Sequence, residues 1–328
     1  MRIEIWADTV CPWTYVGKRR LERALAGLDG ALREEAEVVW RPYRIDSTAP
    51  AAAEPLDPLL GDPLVDTALR ACAPDLTPAQ NRVRVAEAAA AEGLGPRWGA
   101  VWRVSSHDSH RLLALALEAG GPALQGAVAE GVLRAHFTAA EDIGSADVLD
   151  GVAREAGFPD GGRLLAGGAG EGRVRELLLR GRAVGVRTSP TLVVNGRALE
   201  GAQHPDAIRG FLVGAAGHTP RRLPEEVERF RQAESLLGRG DPLGALTLLR
   251  PMLDEHAADR NVRLLAARAH YRSAQLGRAR RTLEELVAQS PDDAYARLLL
   301  GRTLQRQGER ELAEPHLRLA GAMAPEHV

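Results

Sequence analysis

The chain has 328 residues, 45% of them hydrophobic and only 4% aromatic, enough for two ordinary domains with cores built mainly from Ala, Leu and Val. Its 42 basic and 44 acidic residues leave a net charge of −2, which argues against binding nucleic acid by bulk electrostatics, and Lys18 is the only lysine. No charged leader with an apolar run opens the sequence, no stretch of 18 uninterrupted apolar residues suggests a membrane span, and the two cysteines, Cys11 and Cys72, read as free thiols of a cytoplasmic protein. In chain order, Ile3 to Trp6 predicts a strand, Asp8 and Thr9 a turn, and about Pro12 to Leu28 a helix with proline suited to its first turn. Glu37 to Ile45 predicts a second strand, followed by a Pro- and Ala-rich loop. From about Leu64 to Arg180 apolar residues recur at helical spacing. Pro190 to Ala202 predicts a hairpin turning at Asn195-Gly196, and His204 to Val213 a helix. The order β-α-β, helical insertion, β-β-α predicts a small mixed sheet whose halves are separated by a helical cap.

Beyond a linker at about 217–224 the sequence repeats itself. Ala245, Ala279 and Ala313 are spaced by 34 residues, each followed four positions later by Leu249, Leu283 or Leu317. Ala233, Ala267 and Gly301 keep the same step, and Pro291 and Pro325 close units. A 34-residue period with small residues where paired helices cross is the tetratricopeptide signature, and it predicts an all-α domain of three repeats over 225–328. Such stacks bind protein segments, so a protein partner is expected. Arg263, Arg268, Arg297 and Arg302 are candidates for attracting acidic tails, with solvated helix surface as the commoner use of such charges.

The N-terminal stretch "DTVCPWTYVGK", with "VVWRPYRID", "AEGLGPRW", "SSHDSHRLL", "AHFTAAEDIGSADVL" and "GVRTSPTLVVNGRALEGAQ", resembles the DsbA family and, within it, the cytoplasmic FrnE-like group. The resemblance spans residues 1–216. It implies a thioredoxin-like α/β fold of DsbA type, with a core at about 1–45 and 185–216 and a helical insertion at about 46–184. The family's usual Cys-Pro-Trp-Cys is here Cys-Pro-Trp-Thr. Cys11 keeps the nucleophile's place at a helix N-terminus, where free N–H groups favour a thiolate and predict a lowered pKa, with the Thr14 hydroxyl as a further donor to the sulfur. Thr14 cannot resolve a mixed disulfide. An outside thiol, from glutathione, mycothiol or a partner protein, or else Cys72, has to do so; a buried, inert Cys72 is the favoured alternative. Ser189 and Pro190 match the family's cis-proline loop, opposite the nucleophile, where the Ser189 backbone holds an extended substrate. Pro12 and Trp13 complete the expected substrate surface, with packing as the alternative role for Trp13.

His107, Asp108 and His110 lack a third ligand of fixed spacing, so no metal site is expected. "GGRLLAGGAGEG" lacks the residues of a phosphate loop and reads as a loop or weak helix. No bound cofactor is expected. Three functions stay open: a monothiol disulfide oxidoreductase acting through Cys11, a glutathione- or mycothiol-dependent transferase or isomerase like the kappa-class transferases and hydroxychromene-carboxylate isomerases, and a redox-inactive peptide-binding adaptor.

Overall fold

The computed structural model describes residues 1–57, 75–218 and 223–325. They fall into two compact units, one of Met1–Gly181 with Gly185–Arg221 and one of Arg182–Val184 with Arg222–Val328. Cys72 lies outside the described residues, as does part of the expected helical insertion.

In the first unit, β1 (Arg2–Ala7) runs parallel to β2 (Glu37–Pro42), with Ile5 beside Trp40, and antiparallel to β5 (Thr191–Val194), with Ile5 beside Leu192. β6 (Arg197–Glu200) completes the order β2-β1-β5-β6. Asn195 and Gly196 both have positive φ, 51° and 77°, the backbone that a two-residue hairpin requires and that Asn and Gly adopt most readily. The expected hairpin therefore forms. β2 stops at Pro42, short of the Ile45 read from the sequence, because proline has no N–H to extend the ladder.

Helix α1 (Pro12–Ala26) crosses between the parallel strands and buries Tyr15, Val16, Leu21 and Ala24 in a core shared with Ile3, Leu112, Val128, Leu133, Leu192 and Leu212. α2 (Gly30–Glu34) follows, unforeseen at five residues. α3 (Pro78–Ala91) opens with a capping box: Thr77 Oγ1 accepts from Gln80 N at 3.2 Å, and Thr77 N donates to Gln80 Oε1 at 2.8 Å. A two-residue ladder, β3 (Glu54–Pro55) with β4 (Trp102–Arg103), lies inside the insertion. α4 (His107–Phe137) breaks at Gly120 and Gly121, where the latter has φ 71°, just before Pro122. α5 (Ala146–Glu155), α6 (Gly161–Ala166) and α7 (Glu171–Ala183) follow. The glycine-rich stretch thus forms the short α6, a turn and the start of α7. α8 (Pro205–Ala216) packs against α1 and closes the unit.

The second unit is three antiparallel helix pairs: α9 (Glu225–Gly238) with α10 (Pro242–Glu255), α11 (Arg260–Arg272) with α12 (Leu276–Gln289), and α13 (Ala294–Arg306) with α14 (Arg310–Met323). Asp241, Asp259 and Asp293 cap α10, α11 and α13 through their side chains. The small residues of the repeat sit where the helices cross. Ala233, Ala245, Ala267 and Ala279 are fully buried, and a Cβ on Gly301 would lie 2.6 Å from Leu317 Cγ. The groove reading of the arginines needs correction. Arg263 is buried and binds Gln289 Oε1 at 3.0 Å as well as Glu285, and Arg297 Nε donates to Pro291 O at 2.6 Å, so both are used within the repeat domain itself. Arg268 stacks over Tyr295, 5.8 Å from its centroid, while Arg302 is exposed.

Candidate active site at Cys11

β1 ends at Ala7, and the next four residues turn the chain into α1. Cys11 N donates to Asp8 O at 3.1 Å, and Cys11 is the N-cap of the helix, with Pro12 in the first turn. The Ser189–Pro190 peptide bond is cis and faces this turn. Helix and loop approach so closely that a Cβ on Gly17 would stand 2.9 Å from Pro190 Cγ and 3.4 Å from Ala202 Cβ. Only glycine leaves this gap, one turn below Trp13, undisturbed.

Cys11 is 6% exposed, and its thiol donates to the Ser189 carbonyl at 3.5 Å. Thr14, in the place of the family's second cysteine, turns elsewhere. Its Oγ1 donates to Asp8 O at 2.8 Å and lies 3.1 Å from Ser189 Oγ. A hydroxyl has one hydrogen, and that of Thr14 is committed to Asp8 O, so Ser189 donates in the Ser189–Thr14 bond. Ser189 Oγ in turn accepts from Asp8 N at 2.9 Å. The three residues form a closed hydrogen-bonded ring that ties the strand end, the helix start and the cis-proline loop together. In the resting site the partners of the Thr14 hydroxyl are oxygens, which latch α1 to the loop, and it serves the sulfur only weakly, when the thiol ionises.

The expected lowering of the Cys11 pKa is overturned. Burial pushes the thiol from 9.0 up to about 11. The Ser189 side chain favours the thiolate, the Asp8 charge opposes it, and the Trp13 backbone N–H and the Thr14 hydroxyl help it more weakly. The helix end does supply an N–H donor, but desolvation of an anion in a closed site outweighs it. The resting thiol is protonated.

Asp8 is a site residue that the sequence did not single out. Its side chain is fully buried, accepts from Ile45 N at 2.6 Å and from Val10 N at 3.4 Å, and stands 3.6 Å from His110 Nε2. His110 Nε2 also lies 2.9 Å from the Tyr43 carbonyl, whereas His107 Nε2 pairs with Glu171 at 2.5 Å. The two histidines of "SHDSH" therefore serve different partners. Buried His136 packs edge-on against Phe137, and burial lowers its pKa to about 4, so its ring is neutral at physiological pH. Trp13 is half-buried, and the Arg84 guanidinium lies 5.1 Å above its ring centroid, a cation–π contact on the rim of the site.

Comparisons with known proteins agree with this architecture. The family model of the DSBA-like thioredoxin domain matches residues 2–213, and a tetratricopeptide-repeat model matches residues 236–300. The crystal structure of a probable DsbA oxidoreductase from Streptomyces coelicolor is 29% identical with a TM-score of 0.57, covering 68% of this chain and 94% of its own. A 2-hydroxychromene-2-carboxylate isomerase is 14% identical (TM-score 0.46; 66% of this chain, 94% of that one). The cytosolic disulfide reductase DsbM from Pseudomonas aeruginosa is 18% identical (TM-score 0.43; 66% and 99%). Among curated proteins, none matches this sequence.

Proposed function

The chain belongs to the DSBA-like thioredoxin domain family, whose members are disulfide oxidoreductases, and on that premise we propose that it is a monothiol disulfide oxidoreductase acting through Cys11. The observation that carries the reading is the thiol held at the N-cap of α1 with its hydrogen on the carbonyl of Ser189, the residue before the cis-proline. An extended substrate laid along the loop donates a backbone N–H to that same carbonyl, as in strand addition. It thereby displaces the S–H from its acceptor and brings a disulfide against the sulfur.

Cys11 then attacks one sulfur of the substrate RS–SR′. A Cys11–S–S–R bond forms, the RS–SR′ bond breaks, and the proton from Cys11 ends on the departing R′S⁻. Thr14 has no sulfur with which to expel R. A second thiol of the glutathione or mycothiol class attacks the mixed disulfide instead, releasing Cys11 and leaving with R in a new disulfide. Arg84 on Trp13 supports an anionic small thiol in this role, because it places a cation on the rim beside the nucleophile. This cycle suits a FrnE-like member working in a thiol-rich cytoplasm, with the repeats recruiting a protein partner.

The test is reduction of a glutathionylated peptide with glutathione in excess. The wild-type chain accelerates it, Cys11→Ser does not, and Thr14→Cys releases the first equivalent of peptide with no added thiol, forming an internal disulfide visible by mass spectrometry. A wild-type rate no faster than glutathione alone refutes the proposal.

A further inference from the structure

The 34-residue period aligns Arg278, Glu285 and Gln289 of α12 with Leu312, Leu319 and Met323 of α14. In the middle repeat all three positions make polar contacts: Arg278 Nη1 donates to Gln275 Oε1 at 3.0 Å, while Gln289 and Glu285 both bind Arg263. In the first repeat they are Gly244, Pro251 and Glu255. Only the last repeat carries large apolar side chains there, and they are exposed by 53%, 42% and 46%. Pro315 and Ala322, also exposed, lie beside them. The spacing of Leu312, Pro315, Leu319 and Ala322 is three, four and three, a seam along one side of a helix.

Two charges border the seam. Glu311 and Arg318 are both exposed, seven residues apart, and neither forms an ion pair among the described residues. Seven residues is two turns, so they share one flank. If two copies of α14 lie antiparallel with Leu312 of each opposite Leu319 of the other, Glu311 of each falls within a turn of Arg318 of the other. Both pairs form by the same two-fold axis. A parallel arrangement puts the two charged flanks on opposite sides of the seam, where Glu311 and Arg318 do not meet, so only the antiparallel order gains the two ion pairs.

We propose that the outer face of α14 is a self-complementary interface through which two copies of this chain associate, antiparallel and two-fold symmetric. The seam is one 14-residue helix long. It therefore lies at or below the small end of specific interfaces, about 1,200 Å² in total, and the dimer is a weak one, with a dissociation constant of about micromolar or above.

Sedimentation velocity of the full-length chain, over a series from micromolar to hundreds of micromolar, tests this. The wild type is expected to shift from monomer to dimer. Leu319→Glu, a change at an exposed position that preserves helix content by circular dichroism, is expected to stay monomeric. Glu311→Arg is expected to weaken association about tenfold through two lost pairs and two new repulsions, and the double swap Glu311→Arg with Arg318→Glu to restore it. A wild type monomeric at every concentration overturns the proposal. A dimer indifferent to Leu319→Glu overturns it too, and failure of the double swap to recover association overturns the antiparallel pairing.

Discussion

The two units hold their shapes by opposite strategies. Around Cys11, residues about 180 positions apart close a ring: Asp8 and Thr14 from the chain's start meet Ser189 from near the end of the first unit. In the repeats, contacts stay within one period, as when Gly301 meets Leu317 or Arg263 meets Gln289. The first arrangement concentrates polar groups and a nucleophile in a dry place, where one altered atom reaches all of them. The second distributes its packing, so that damage to one crossing stays near that crossing.

The strongest way to sharpen that contrast is to titrate the thiol. With its pKa near 11, Cys11 carries about a hundredfold less thiolate at pH 7 than an ordinary cysteine, and alkylation in a Cys72→Ser background should be slowed accordingly, with a midpoint about two units above 9.0. Stability follows with a definite sign. The unfolded thiol ionises near 9.0 and the folded one near 11, so the native state loses up to about 3 kcal/mol as pH rises between those values. A midpoint below 8 would mean that the helix end, not burial, governs the site.

Next in size is His136, whose folded pKa is lowered from 6.5 to about 4 by burial. Its contribution is complete above 6.5 and is lost as pH falls toward 4, amounting to about 3 kcal/mol. Denaturant melts at pH 7 and pH 4 should show that loss in the wild type and a much smaller one in His136→Leu; equal losses would place the acid sensitivity elsewhere. Gly17→Val then separates the units directly. Overpacking against Pro190 should cost about 1–3 kcal/mol and change Cys11 alkylation. Gly301→Val should cost a similar amount through Leu317 and leave alkylation alone. If both variants alter the thiol equally, the contrast between ring and repeat fails. The smallest effect is expected at exposed Arg302, where Arg302→Gln should move stability by less than about 0.5 kcal/mol in thermal melts.

The same contrast explains what could be read in the sequence. The helix crossings were legible because Ala245, Ala279 and Ala313 announce them at a fixed interval, and the hairpin because Asn195-Gly196 is a local instruction. Cys11, Ser189 and Pro190 were legible through family resemblance and come together in the structure. Asp8 was not: its partners Ile45 and His110 are remote, and an acid after a strand looks like any turn residue. The sign of the Cys11 shift was missed for a related reason. A helix end is visible in a short motif, whereas desolvation is supplied by whatever the rest of the chain folds over it. The β3–β4 ladder, at two residues per strand, is too short to carry a period.

The break in α4 has a consequence for how this chain meets a lipid bilayer. By length and mean hydropathy, 1.3 over its most apolar window, His107–Phe137 is the one described helix that qualifies as a membrane span. Crossing the hydrocarbon takes about 20 consecutive helical residues, and the non-helical Gly120 and Gly121 divide this segment into two pieces, each shorter than that. Its buried residues, Leu112, Leu113, Val128 and Leu133 among them, spend their apolar surface on the core of the first unit. Two glycines and a proline thus make a sequence greasy enough for a bilayer into a pair of stubs shaped for a protein interior.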